Sequence, residues 1–193
     1  MQPINAEAIL NAYVQGAFPM ADAHGTIRWY TADPRGILPI QTFRAPRSVR
    51  QLIQRNVFET RINHNFHAVM VECSRDREGG TWISKRLIEL YTELHELGFA
   101  HSVESWQNGE LVGGLYGVTL GSAFFGESMF HRVSNASKVA LVQLVNRLRE
   151  RDFKLLDTQA VTKHLQTLGC IEVPAREYKK MLRDALTIER NFA

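Results

Sequence analysis

Between Pro46 and Gln54 the apolar residues Val49, Leu52 and Ile53 fall on one side of a helical wheel. Arg47, Arg50 and Gln54 fall on the other side, so this stretch predicts an amphipathic helix with a basic outer face. Pro46 suits its first turn, where a missing N–H is harmless. A second helix is expected over Ile83–Leu97, with Ile83, Leu87, Leu90, Tyr91 and Leu94 on one stripe and Gly98 as its stop. The period then changes to two: His101, Val103 and Ser105 alternate with Ser102, Glu104 and Trp106. Asn108-Gly109 is a hairpin turn by composition, because both residues tolerate positive φ. LVGGLYGVTL returns as a second strand, and SAFFGESMF follows Gly121 as a third. Ser134 or Asn135 is placed to cap a helix carrying Val139, Leu141, Val142, Val145 and Leu148. KLLDTQAV reads as a strand, TKHLQTLG as a short helix and CIEV as a final strand.

From Trp82 the order is therefore helix, three antiparallel strands, helix, strand, helix, strand. It predicts an α/β (α+β) fold, a mixed sheet covered by helices. The order matches the acyltransferase fold of the GCN5-related N-acetyltransferase type. Residues 1–40 read differently, as a helix over Asn5–Gln15 followed by loops and a small sheet rich in Gly and Pro. They are expected to form a small N-terminal subdomain, and residues 41–193 the acyltransferase-like domain.

Composition narrows the class. The chain has 193 residues, 45% hydrophobic and 22% charged, as befits a globular protein with a sizeable core. No apolar run reaches membrane-spanning length, no signal peptide is visible at the start, and a cytoplasmic location is expected. Cys73 and Cys170 show no disulfide framework and no metal-ligand spacing. Net charge is only +3, so global charge argues weakly for a nucleic-acid partner. Its distribution argues more strongly: Arg44, Arg47, Arg50 and Arg55 lie between Gln41 and Phe58 with no acid among them.

Three features carry candidate chemistry. Glu127 sits among Phe124, Phe125, Met129 and Phe130, and by strand alternation shares a face with Phe125 and Met129. An unpaired buried carboxylate is costly, so Glu127 either faces water, pairs with a remote arginine, or has a task. Asp157 and Gln159 project from one face of a strand, as a polar strand end or as a device that orients an amine or hydroxyl. Trp82 and the arginine helix suit base stacking and phosphate binding, against the plainer readings of core packing and a solvated face.

Other signals carry less. His64 and His67 lack a third ligand nearby, and Gly113, Gly114 and Gly117 lead into no helix, so neither a metal nor a dinucleotide site is expected. No serine elbow or nucleophilic cysteine signature is present. The strand-to-helix junction HRVSNASKVAL has no glycine between His131 and Val139, which disfavours a coenzyme A cradle. An acyl-CoA N-acyltransferase and a non-catalytic tRNA-binding module remain the rival readings.

The stretches AYVQGAFPM, WYTADPRG, GGTWI, LHELGFAHSVESW, ELVGGLYGV, FFGESMF, NASKVAL, LLDTQ and HLQTLG, with the arginine helix, resemble the bacterial leucyl/phenylalanyl-tRNA–protein transferase family almost end to end. The resemblance implies transfer of Leu or Phe, or of Met, from aminoacyl-tRNA to the N-terminal Arg or Lys of a protein, which is thereby marked for degradation. By motif position it makes Asp157, Gln159 and Glu127 catalytic. It gives Trp82 to the terminal adenosine, Leu115 and Phe124 to the side-chain pocket, and Ser128 to the substrate site. It gives Arg47, Arg50 and Arg55 to tRNA. Met20 stands where some members place a second aromatic at the adenosine, and longer members carry a further N-terminal stretch. The partners implied are leucyl-tRNA, phenylalanyl-tRNA and acceptor proteins, with no cofactor, metal or membrane and a monomeric enzyme. In this reading Asp157, held by Gln159, receives the amine proton while Glu127 anchors the cationic acceptor. Asp157→Asn and Glu127→Gln are then expected to cut turnover with the fold intact.

Overall fold

The computed structural model describes residues 4–75 and 80–193. In chain order the elements are α1 (Ala6–Val14), β1 (Phe18–Ala21), β2 (Ile27–Tyr30), β3 (Arg35–Ile37), α2 (Arg47–Gln54), β4 (Glu59–Ile62), α3 (Phe66–Ser74) and α4 (Lys85–Glu96). They continue with β5 (Ala100–Gln107), β6 (Glu110–Leu120), β7 (Ala123–His131), α5 (Ala136–Glu150), β8 (Leu155–Gln159), α6 (Lys163–Thr167), β9 (Ile171–Val173) and α7 (Ala175–Leu186).

The helices form where apolar spacing and caps agree. Asn5 caps α1 by accepting from the Ala8 N–H at 2.9 Å, and Ile9 and Tyr13 bury one face. Ser84 caps α4 in the same way, and Leu87, Leu90, Tyr91 and Leu94 form its buried stripe. Asn108 and Gly109, with φ of 53° and 79°, make the tight turn between β5 and β6. Asn135 occupies the N-cap of α5 but makes no side-chain cap bond; it contributes a left-handed backbone at φ 67° instead.

Among the described residues the larger sheet has strand order β4-β5-β6-β7-β8-β3-β9, and a two-stranded sheet pairs β1 with β2. β7 and β8 are parallel and the other neighbours antiparallel, so the mixed α/β architecture is the expected one. Helices cover both faces. α1, α3, α4 and α7 pack on one core with Tyr116, Phe125 and Phe130, while α2 and α5 pack on another with Leu115, Phe124 and Leu156. Residues 35–37, expected as loop, are instead an inner strand between β8 and β9. The first forty residues are thereby tied into the larger sheet.

One irregularity matters for the site. β6 and β7 pair as Gly117↔Gly126 and then Tyr116↔Ser128, which leaves Glu127 without a partner opposite it. This β-bulge shifts the alternation by one residue. Phe125 and Phe130 consequently face the same core, and Met129 packs on the other. Glu127 therefore shares its face with Phe125 as expected, but not with Met129. Gly117 permits the bulge: a Cβ there would stand 2.3 Å from both the Phe124 ring and the Phe125 carbonyl.

Candidate active site

Parallel pairing of β7 with β8 runs through Ala123↔Leu155, Phe124↔Leu156 and Phe125↔Asp157. Beyond it, β7 bulges at Glu127 and β8 turns at Gln159, whose φ is +63°. The strands part, and a cleft of about 380 Å³ opens between them. Leu115, Met129, Leu141, Leu144, Leu156 and Leu165 give it apolar walls. Glu127, Ser128 and Gln159 bring polar groups into it, and Trp82 lines it as well.

Glu127 is tightly held. Its Oε1 accepts from the Tyr13 hydroxyl and from Gln159 Nε2, each at 2.6 Å, and its Oε2 from the Tyr91 hydroxyl at 3.3 Å. The two tyrosine hydroxyl oxygens also lie in contact with one another. The residue keeps some contact with solvent through the cleft, but its carboxylate lies deep. Burial, reinforced by the charge of Asp157 and opposed by the Tyr13 hydrogen bond, raises its pKa to about 7. Burial beside that carboxylate lifts both tyrosines well above their ordinary range, which keeps them protonated as donors.

Asp157 is placed differently from expectation. It is fully buried and takes a two-pronged contact from Arg35, whose Nε lies 3.0 and 3.2 Å from the two oxygens and whose Nη2 lies 2.7 Å from Oδ2. The Tyr178 hydroxyl donates to the same Oδ2, and the Gln159 N–H donates to Oδ1 at 2.7 Å. Arg35 is itself 1% exposed and spends its Nη1 on the Gly16 carbonyl. With four donors on two oxygens, Asp157 has no free lone pair directed at the cleft, and it is not among the residues lining it. By holding the Gln159 backbone in its left-handed turn, it sets the side chain that reaches Glu127.

The remaining expectations divide. Leu115, Ser128 and Trp82 line the cleft, and the Trp82 carbonyl also accepts from Ala21 N–H at 3.0 Å, tying it to β1. Phe124 does not line it: the ring is fully buried and packs on Phe192 at 5.3 Å between centroids. Met20 is half-buried on β1 against the first core and does not line the cleft. Arg47, Arg50 and Arg55 are exposed on or just after α2, and no carboxylate pairs with them among the described residues.

Four site residues escaped sequence reasoning. Tyr13 and Tyr91 sit on apolar helical stripes, where a tyrosine reads as core. Arg35 lies in a Pro- and Gly-rich stretch that reads as loop, and Tyr178 lies on α7, beyond the last expected strand. The one available signal was the 4-3 spacing of Tyr178, Leu182 and Ala185, which marks a buried helical face.

Comparison with known proteins agrees with this picture. A family model described as leucyl/phenylalanyl-tRNA protein transferase matches residues 37–183, and its N-terminal domain model matches residues 3–33. The leucyl/phenylalanyl-tRNA–protein transferase of Maricaulis maris is 46% identical over all of this chain and 91% of its own. That of Paramagnetospirillum magneticum is 51% identical over 96% of this chain and 91% of its own. That of Phenylobacterium zucineum is 49% identical over all of this chain and 89% of its own. The chain belongs to the leucyl/phenylalanyl-tRNA protein transferase family.

Proposed function

We propose that this protein moves leucine or phenylalanine from aminoacyl-tRNA to the N-terminal amine of proteins beginning with Arg or Lys. The observation that carries the reading is an apolar cleft ending on a carboxylate whose pKa lies near neutrality. The reaction is aminolysis of an ester already activated in the donor. The acceptor α-amine, with an ordinary pKa of about 7.7–8.0, attacks the ester carbonyl, an amide bond forms and the ribose hydroxyl leaves. Glu127 takes the proton that the amine must lose and passes it to the departing ribose oxygen, and its pKa suits that task at neutral pH. As a carboxylate it also attracts the cationic N-terminus before reaction. Gln159 and the two tyrosines fix its direction, and Asp157 with Arg35 fixes Gln159. This replaces Asp157 by Glu127 as the proton acceptor.

Leu141, Leu144 and Leu156 suit a donor side chain unbranched at Cβ, as in leucine or phenylalanine, with discrimination of only about 1–3 kcal/mol per methylene. Trp82 suits stacking on the terminal adenosine. The exposed arginines of α2 suit tRNA phosphates, held without reading sequence. Acceptors so tagged would enter degradation in the cytoplasm. Labelled leucyl-tRNA, offered with peptides beginning in Arg, Lys, Glu or Ala, tests the reading. Label is expected on the Arg and Lys peptides alone; label on the Glu peptide, or on none, contradicts it.

A further inference from the structure

A second cleft, of about 560 Å³, adjoins the first and shares Met129 and His164 with it. His131, Arg132, Arg75, Glu72 and Ser137 complete its lining with Phe130. Among the described residues its charges are unbalanced. Arg75 and Arg132 share the single carboxylate of Glu72, and their side chains remain 61% and 46% exposed. Lys138, next to Ser137 in the first turn of α5, has no ion-pair partner among the described residues. Partial burial, then the charges of Lys138 and His131, lower the proton affinity of His164. Arg75, His131, Arg132 and His164 thus line one concave wall, with Lys138 close enough to act on His164, an arrangement that an anion would relieve.

We infer that this second cleft holds a backbone phosphate of the donor RNA's single-stranded 3′ end. The inference rests on the aminoacyl-tRNA reading above and adds a contact separate from the arginines of α2. Continuity is the main argument. The same strand carries Glu127 in the first cleft and ends at His131 in the second, four residues and about 13 Å further on, with Arg132 immediately after it. A donor whose ester lies at Glu127 must lead its chain away from that point, and the adjoining cleft offers a basic wall at that distance. An acceptor peptide has no corresponding fixed anion at a set distance from its amine.

Binding of a fluorescein-labelled ACCA tetranucleotide, followed by anisotropy, tests this directly. The Arg132→Gln/Lys138→Gln double variant is expected to weaken binding about tenfold and to make the salt slope shallower by about 0.7 for each phosphate no longer neutralised. Lys138→Arg, which keeps the charge, should bind as the wild type does. Thermal unfolding should confirm that all variants remain folded. In transfer assays the double variant should raise KM for leucyl-tRNA and leave KM for leucyl-adenosine, which has no phosphate, unchanged. Equal ACCA binding by wild type and double variant overturns the inference, as does a KM change that tracks the acceptor peptide or appears equally with leucyl-adenosine. Should no donor support transfer while the double variant still loses ACCA affinity, the transferase reading fails and the phosphate site stands.

Discussion

Arg35 and Asp157, 122 positions apart in the chain, form a fully buried two-pronged ion pair that joins β3 to β8 beneath the cleft. Neither charge touches solvent, and the Tyr178 hydroxyl and the Gln159 N–H complete the cage around the carboxylate. Such a pair is weak evidence of net stabilisation, but removing one partner strands the other charge in the interior. Asp157→Asn is therefore expected to lower unfolding stability by about 3–5 kcal/mol. The sequence expectation of an intact fold is revised by that cage. Urea unfolding checks it: an unchanged midpoint with lost turnover would return Asp157 to the role of reacting group.

Glu127→Gln has the opposite signature. The folded-state pKa of Glu127, about 7, lies above the ordinary 4.5. A raised carboxyl pKa favours the protonated folded state, so its stabilising contribution is complete below about 4.5 and fades as pH rises through 7. Glutamine carries no such dependence. The variant should gain stability relative to wild type between pH 5 and pH 8 (roughly the interval set by the two values). Parallel unfolding curves at those pH values would show it, and a constant difference would mean that Glu127 is ionised throughout.

Tyr13→Phe removes the hydroxyl that bonds Glu127 Oε1 and, with it, a hydrogen bond that lowers the Glu127 pKa. The pH dependence of transfer should move to higher pH, and stability should fall by about 1–3 kcal/mol as a buried acceptor loses its donor. A purely structural tyrosine would reduce stability and leave the pH profile where it was.

The arginines of α2 make a salt-dependent prediction. Arg47→Gln/Arg50→Gln should weaken tRNA binding and reduce the slope of log K against log salt by about 0.9 for each duplex phosphate that the variant no longer neutralises. Transfer from leucyl-adenosine should be untouched. A flat salt response in the wild type would remove α2 from the tRNA interface.

Much of this arrangement was legible because local signals agree with the fold. The hairpin at Asn108-Gly109, the stripe of α4 and the strand at β5 each follow from short-range pattern. Glu127 and Gln159 announced themselves as polar residues in apolar strands, and the structure brings them within 2.6 Å. What stayed hidden was what depends on long-range partners. Asp157 reads like Gln159 in LLDTQ, and only the arrival of Arg35 and Tyr178 shows that its oxygens are spent. The bulge at Glu127 reverses the facing of Met129, and no period-two pattern can report an inserted residue. The resemblance gave Phe124 to the side-chain pocket, whereas the structure buries its ring against Phe192.

The most direct test is the pH dependence of single-turnover transfer from leucyl-tRNA to an Arg-initiated peptide, for wild type and Glu127→Gln. With Glu127 as proton acceptor, the wild-type rate should climb through pH of about 7 as the carboxylate ionises. The glutamine variant should be slower by about 10²–10⁴-fold and should keep only the rise set by the amine itself, at about 7.7–8.0. A variant that keeps the wild-type rate and the same pH profile would contradict the assignment and place proton transfer outside this carboxylate.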